Sequence, residues 1–424
     1  MKKGTIIISI LILILFLSGQ EIQEKATAVN IEVPVRVYDG DKFVENLTIK
    51  DFIIYEDGEK QNIDAVYLIK ERAIQRKESV EEESIPSKEE MGGKFAPKEQ
   101  RHFVFIFELL EYLLQINDVI DYFFQNVMQP SDAVRIITPG GNYRLTPESH
   151  KTKTKLQMAE SLKSIVKKDL RMGNAEYRHT LEELKRIVRA LSILIAPQGS
   201  DVETVNDQFS SSLYSSTQRS NISHVVTAYQ SAHDRLLSIR GVEQKKLIDF
   251  GEALMQMDGQ KIVFILYQRE HVPQVSSRVM LQYSNLSQDD PAMYMSLANI
   301  MEFSSGDYAL DVDKVEQAFA DPSISAHFLF LTKLAEMHSF IDMQEFSSDV
   351  FHAFKTLADA TGGTVDSSSN PEFLFEKAVE ATENYYLLYY TPKEYVADGK
   401  FKKIEVKVKG KKYRVTHRAG YVAD

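Results

Sequence analysis

The chain has 424 residues, and its 50 Lys and Arg against 61 Asp and Glu leave a formal charge of −11. With 43% hydrophobic and 26% charged residues it has the make-up of a folded globular protein, long enough for two or three domains. The acidic balance argues against a general nucleic-acid binder, which needs a surplus of Lys and Arg. The absence of cysteine excludes disulfides, thiolate metal sites, cysteine nucleophiles and the acylated cysteine of a lipoprotein.

Residues 1–20 read as an export signal: Lys2 and Lys3 precede the apolar run Thr5–Leu17, and the small residues Ser18-Gly19 suit cleavage. The run is shorter than the ~20 residues of a spanning helix. An uncleaved N-terminal anchor is the competing reading. No second span is visible, so the chain is expected to be periplasmic, cell-surface or extracellular, with no transmembrane span after signal removal.

Residues 29–69 read as an N-terminal β segment. Ile31, Val33, Val35 and Val37 alternate with polar residues up to the turn at Asp39-Gly40-Asp41. Asp51–Tyr55 is a second strand, Asp57-Gly58 a turn, and Ile63–Ile69 a third strand. Three short strands cannot close a core, so they need a partner sheet. Residues 70–100, with Glu81-Glu82-Glu83 and Glu89-Glu90, read as a polar linker.

Residues 101–383 have α/β character. His102–Phe107 is a continuous apolar run, as in a strand buried on both faces. Ile116, Val119, Ile120, Phe123, Phe124 and Val127 follow on one helical face, and Ala133–Thr138 is the next strand. Strand, helix, strand implies a parallel sheet with helices on its faces. Helical periodicity over 148–196 is followed by a serine-rich loop at 197–223, a helix to Met257 and a strand at Lys261–Tyr267. Then come a mixed stretch at 271–325, a strand at Ala326–Leu331, and a helix at Val350–Ala360. A short strand at Thr364-Val365 and a helix at Phe373–Val379 end the unit. The stretches near 148–240 and 271–325 read as insertions. Residues 384–424 return to β character, with Tyr385–Tyr390, an alternating Ile404, Val406 and Val408, and Tyr413–Arg418. They are expected to pair with 29–69 in one small β-sandwich into which the α/β domain is inserted.

No phosphate-cradling glycine loop, dinucleotide fingerprint, nucleophile elbow or zinc-protease helix motif occurs. No nucleophile–base or paired-carboxylate constellation is visible, so an enzyme is not expected and no catalytic residue is assigned. Asp366–Asn370 has oxygen donors for a hard cation, but the following Pro371 favours a helix-capping turn. Asp311-Val312-Asp313 is a thinner case of the same. Tyr385, Tyr386, Tyr389 and Tyr390 read as alternating core residues rather than a recognition surface, and the Lys-rich 400–414 as a solvated strand face.

Taken together, several segments resemble the bacterial VWFA-related family, exported proteins built round a von Willebrand factor A-type domain. They are Val33–Asp39, Leu47–Gln61, the helix-and-glycine element Leu357–Thr364, Tyr385–Pro392, and Arg418-Ala419-Gly420-Tyr421. Residues 148–240 and 271–325 are not matched. The resemblance implies a Rossmann-like α/β fold with a metal-ion-dependent adhesion site at the carboxyl edge of its sheet. That site uses Asp-x-Ser-x-Ser after the first strand, a loop Thr, and an Asp closing a later strand, and a partner's carboxylate completes the ion's shell. Here Glu108 stands in the Asp position, Leu110 and Tyr112 in the serine positions, and Gln268 in the later Asp position beside Arg269. Leucine has no donor oxygen and Arg269 brings positive charge, so the site reads as degenerate. No cofactor is expected, and Mg²⁺ no more than weakly. A salt bridge from Glu108 to Arg269 is the expected use of that carboxylate.

These readings lead to an exported, non-enzymatic binding or scaffold protein with a metal-free A-type domain and a protein partner of unknown identity. Two alternatives stand beside it: a self-assembling envelope subunit, and a divalent-ion-dependent adhesion protein.

Overall fold

The computed structural model of the protein describes residues 29–40, 42–71, 73–79, 101–146, 148–195, 218–240, 244–276, 281, 295, 311–321, 323–336 and 341–423. The expected export signal, the linker from residue 80, the serine-rich loop up to 217 and most of 277–310 lie outside the described residues. The N-terminal segment forms β1 (Ile31–Asp39), β2 (Lys42–Phe43), β3 (Phe52–Glu56), β4 (Glu59–Gln61) and β5 (Ile63–Lys70). The turn between β3 and β4 puts Asp57 and Gly58 at positive φ, the conformation for which this dipeptide is suited. β5 continues directly into β6 (Ala73–Ser79), which pairs antiparallel with it. The start of the expected linker is therefore a strand. Its charged, mostly exposed alternation hides it from a reading that looks for apolar residues.

The α/β unit begins with β7 (Arg101–Glu108), followed by α1 (Ile116–Tyr122) and a π-helical turn at Phe123–Val127. β8 (Ala133–Thr138) and β9 (Gly141–Leu145) make a hairpin. Then come α2 (Ser149–Thr152), α3 (Lys155–Gly173), α4 (Ala175–Ile195), α5 (Gln218–Arg240) and α6 (Gln244–Met255). β10 (Gln260–Gln268), β11 (His271–Val275), α7 (Val312–Ala318), β12 (Ile324–Leu331), β13 (Ile341–Glu345), α8 (Ser348–Ala360), β14 (Val365–Ser368) and α9 (Pro371–Glu383) complete it.

Six of these strands form one sheet in the order β14-β12-β10-β7-β8-β9, parallel throughout except for β9. β7 buries both faces. Phe103, Phe105 and Phe107 pack with α1, α3 and α9 on one side, and Val104 and Ile106 with α6, α7 and α8 on the other. Helices on both faces are what a parallel sheet requires. The stretch expected as one insertion at 148–240 divides physically. Met158, Leu162, Val166 and Leu170 of α3 join the sheet's core, while α4 and α5 make a separate core with the antiparallel β11–β13 ribbon. The mixed stretch 271–325 likewise supplies a ribbon strand, α7 and the start of β12. Among the described residues no helix is long and apolar enough to cross a membrane.

The chain ends in β15 (Tyr385–Tyr390), β16 (Phe401–Val408), β17 (Arg414–His417) and β18 (Gly420–Val422). β15 inserts between β1 and β5, β17 pairs with β1, and β16 pairs with β3. N- and C-terminal segments thus interleave in two sheets, β17-β1-β15-β5-β6 and β18-β16-β3-β4. Val33, Val35, Val37, Ile54, Tyr386, Leu388, Tyr390, Ile404 and Val406 fill the space between them. The four β15 tyrosines are core residues on alternating faces: Tyr385 and Tyr389 pack on the other side with Tyr67.

The outer face of β1 docks on the amino-terminal edge of the parallel sheet through Arg36. Its guanidinium, buried, donates to the carbonyls of Ala381 and Gly362 and to Ser325 Oγ (3.2 Å). Those carbonyls lie at the C-terminal ends of α9 and α8, where unpaired acceptors and the helix dipoles concentrate negative charge. No carboxylate pairs with Arg36 among the described residues, so two helix ends hold this cation instead. Arg36→Ala is expected to lower the unfolding free energy by about 3 kcal/mol, because each orphaned buried acceptor costs about 1–3 kcal/mol. Urea unfolding reads this as a lower midpoint at unchanged slope. A change below about 0.5 kcal/mol would contradict the assignment.

Candidate functional site

With the sandwich on the amino edge, the open edge of the parallel sheet is the carboxyl one. The strand order reverses at β7, whose neighbours β8 and β10 are reached by connections in opposite directions, and a crevice opens where such strands end. Glu108, the last residue of β7, lies in register with Tyr267 of β10. Both line a cleft of about 410 Å³ together with Ile106, Leu109, Leu110, Leu247, Phe250, Phe354 and the carboxylate of Glu270.

Glu270 is buried and firmly placed. Its side chain accepts hydrogen bonds from Tyr267 Oη (2.7 Å) and Tyr177 Oη (3.2 Å), and its backbone N–H donates to Ser347 Oγ (2.8 Å) just before α8. Glu108 has no hydrogen bond or ion pair among the described residues. Glu108 is solvent-exposed at the end of β7, with the cleft wall packed behind it. Partial desolvation by that wall first, and then the charge of Glu270, push its pKa up to about 7.

The four positions of the expected adhesion site diverge. Leu110 packs toward the α4–α5 core, and its carbonyl accepts from Arg178 Nη1 (3.2 Å). Tyr112 lies against the sheet's core and donates to Asn117 Oδ1. Gln268 is buried, and its Nε2 donates to Glu111 Oε1 (3.2 Å), which also receives Lys333 Nζ (2.8 Å). The adjoining Leu109 carbonyl is taken by Asn174 Nδ2 (2.6 Å). A divalent ion does not fit here: Leu110 offers no oxygen, the Tyr112 hydroxyl is committed, and the Lys333 ammonium already neutralises Glu111. No three His, Asp or Glu side chains are grouped to hold a metal among the described residues. The expected Glu108–Arg269 salt bridge does not form. Arg269 pairs with Glu345 across the β11–β13 ribbon (3.2 Å) and lies over the Phe330 ring.

The other donor-rich segments are caps. Asn370 Oδ1 accepts from the N–H groups of Glu372 (3.0 Å) and Phe373 (3.3 Å) at the start of α9, and Asp311 Oδ1 accepts from Lys314 N–H (3.3 Å) at the start of α7. A second polar chain joins Ser325 Oγ to His327 Nε2 (2.9 Å) and His327 Nδ1 to Thr364 Oγ1 (2.9 Å). The Thr364 backbone N–H also donates to Nδ1 (3.3 Å), which puts the ring proton on Nε2. Ser325 Oγ then accepts from both His327 and Arg36. This is the opposite polarity to an activated nucleophile, whose base must take its proton.

Glu270 is the site residue that sequence reading misses. It lies just after β10, far along the chain from Glu108, and only the parallel register of β7 and β10 brings the two together. Compared with models of protein families, with curated proteins and with solved structures, the chain matches none of them.

The folded chain holds the Glu108 proton up to about pH 7, while an unperturbed carboxyl releases it near 4.5. The stability this group contributes is therefore fully present below pH 4.5 and is lost as pH rises through 7. Glu108→Gln cannot ionise, so its melting temperature relative to the parent is expected to rise between about pH 5 and pH 8. A difference independent of pH would contradict the placement of Glu108.

Proposed function

We propose that the protein is an exported, non-enzymatic binding protein whose α/β unit is a Rossmann-like von Willebrand factor A-type domain. It meets another protein at the carboxyl edge of the sheet without a metal ion. The strand order, the single antiparallel strand β9 and the helices on both faces fit this reading, as does the sandwich made from both chain ends.

One observation carries the proposal of a protein partner. Three large apolar side chains stand in solvent at the carboxyl edge: Leu114 (72% exposed) after β7, Met172 (64%) at the end of α3, and Leu334 (90%) after β12. Gly173, next to Met172, packs against Pro139 after β8, so all three belong to the same edge. Exposed apolar side chains gathered round a polar rim mark interaction surfaces. Glu111 and Lys333 supply that rim. The sandwich edge gives less support to self-assembly: β6 carries Arg76, Lys77 and Glu78, and such charges oppose edge-to-edge pairing.

The test is a photo-crosslinking residue in place of Leu334 in the exported chain. The expected product is one discrete adduct with another protein, unchanged by EDTA and lost when Leu114 and Met172 are both replaced by Asp. Loss of the adduct in EDTA would establish ion-dependent adhesion instead. Adducts of the chain with itself alone would establish self-assembly.

A further inference from the structure

We propose that the cavity between the sandwich and the amino edge of the parallel sheet is a binding site, in which the buried guanidinium of Arg418 receives the carboxylate of a ligand with an apolar body. The site lies at the opposite edge of the sheet from Glu108 and does not depend on the reading of the carboxyl edge.

The cavity, of about 470 Å³, opens beside the start of β1, the end of α6 and the residues after α7. Its walls are mostly apolar, with Val29, Ile31, Met255 and Val422 and the rings of Tyr395 and Tyr421. Arg418 brings a cation to this lining, and only 3% of the residue is exposed. Its backbone is fixed. It bridges to Thr361, and the following N–H, of Ala419, donates to the Ala360 carbonyl (2.9 Å) at the end of α8. The guanidinium lies over the Tyr421 ring, 5.7 Å from its centroid. Yet Arg418 Nε and Nη1 have no hydrogen-bond partner. Arg36, at the same edge of the sheet, shows the contrast: each of its three nitrogens has an acceptor. Buried donors are met in this way as a rule, so the exception at Arg418 points to a missing acceptor.

Two carboxylates line the cavity without meeting these donors. Asp321 accepts from Lys261 Nζ (2.8 Å) and from the Ser323 N–H (2.8 Å), and Glu32 accepts from Tyr389 Oη (3.3 Å). Burial lowers the Arg418 pKa to about 10, although Tyr390, Asp321 and Glu32 oppose the change, and the group stays protonated at neutral pH. A carboxylate supplies both the acceptor oxygens and a countercharge. An amide or alcohol leaves the charge unmet, an amine or a metal ion faces a like charge, and inorganic phosphate has no body to fill the apolar walls. The charges of Asp321 and Glu32 favour a monoanion over a dianion.

A small organic acid and the carboxyl terminus of a peptide share this chemistry, and the experiment separates them. 3-Phenylpropanoate and acetyl-Gly-Phe with a free carboxyl terminus are titrated into the exported chain at pH 7, beside their amides and 3-phenylpropylamine. Thermal unfolding and the nitrogen-15 NMR signal of Arg418 Nε are followed. At least one of the acids is expected to raise the melting temperature saturably and to move the Nε signal, with no effect from its amide or from the amine. A response to the peptide alone assigns a carboxyl terminus, and a response to 3-phenylpropanoate alone assigns a small acid. Arg418→Gln, checked for folding by its own melt, should lose about tenfold or more in affinity. Met255 lines the cavity and is 40% exposed, so charge placed there spares the fold. Met255→Glu should weaken acid binding about threefold, and Met255→Lys should tighten it by a similar factor.

No response to either acid would overturn the proposal, and so would equal responses to an acid and its amide. Acid binding that Met255→Glu and Met255→Lys leave unchanged, with the Arg418 Nε signal unmoved, would place the ligand elsewhere and overturn it as well.

Discussion

The buried guanidinium of Arg36 sets the organisation of the whole chain. It lies on β1, near the start of the described chain, yet its acceptors are the ends of α8 and α9, formed by residues far along the chain. A cation removed from water is costly unless its charge is met. The two helix C-termini meet it with fixed carbonyls that have no partner inside their own helices. Because strands and helices alternate in direction in a parallel α/β unit, both helix ends fall at the amino edge of the sheet. The sandwich is held at that edge, and the carboxyl edge is left as the face on which loops from β7, β10 and β12 converge.

At the open edge of the sheet most of the charges pair within the chain. Lys333 neutralises Glu111, Arg269 is drawn away to Glu345 and the Phe330 ring, and Glu108 is left facing Glu270 in an apolar cleft. A surface ion pair such as Lys333–Glu111 adds little stability, about 0–1 kcal/mol. Its consequence is geometric, since it holds the 108–112 loop against Gln268. Glu108 has no ion pair among the described residues, and carboxyls with perturbed pKa values are enriched at functional sites.

Much of the fold could be read in the residues themselves. The alternation of Ile31, Val33, Val35 and Val37 fixes one face of β1, and the unbroken Phe103–Phe107 run announces a strand covered on both sides. Asn370 followed by Pro371 reads as a cap, and it is one. What stayed hidden depends on contacts between distant segments. β6 has no apolar face and forms because β5 offers a free edge. Arg269 was expected at Glu108 because of its place in the chain, but the β11–β13 ribbon presents Glu345 to it instead. Glu270 carries no local signal at all, since its role follows from the register of β10 beside β7 and from two tyrosine hydroxyls.

The central claim is that Glu108 is a partly desolvated, metal-free carboxyl facing a second carboxylate. A carbon-13 NMR titration of its side-chain carboxyl, run with and without Mg²⁺, tests this directly. The account predicts a midpoint at about 7 that Mg²⁺ leaves in place. A midpoint near the ordinary 4.5, or one that Mg²⁺ drives down, would contradict it.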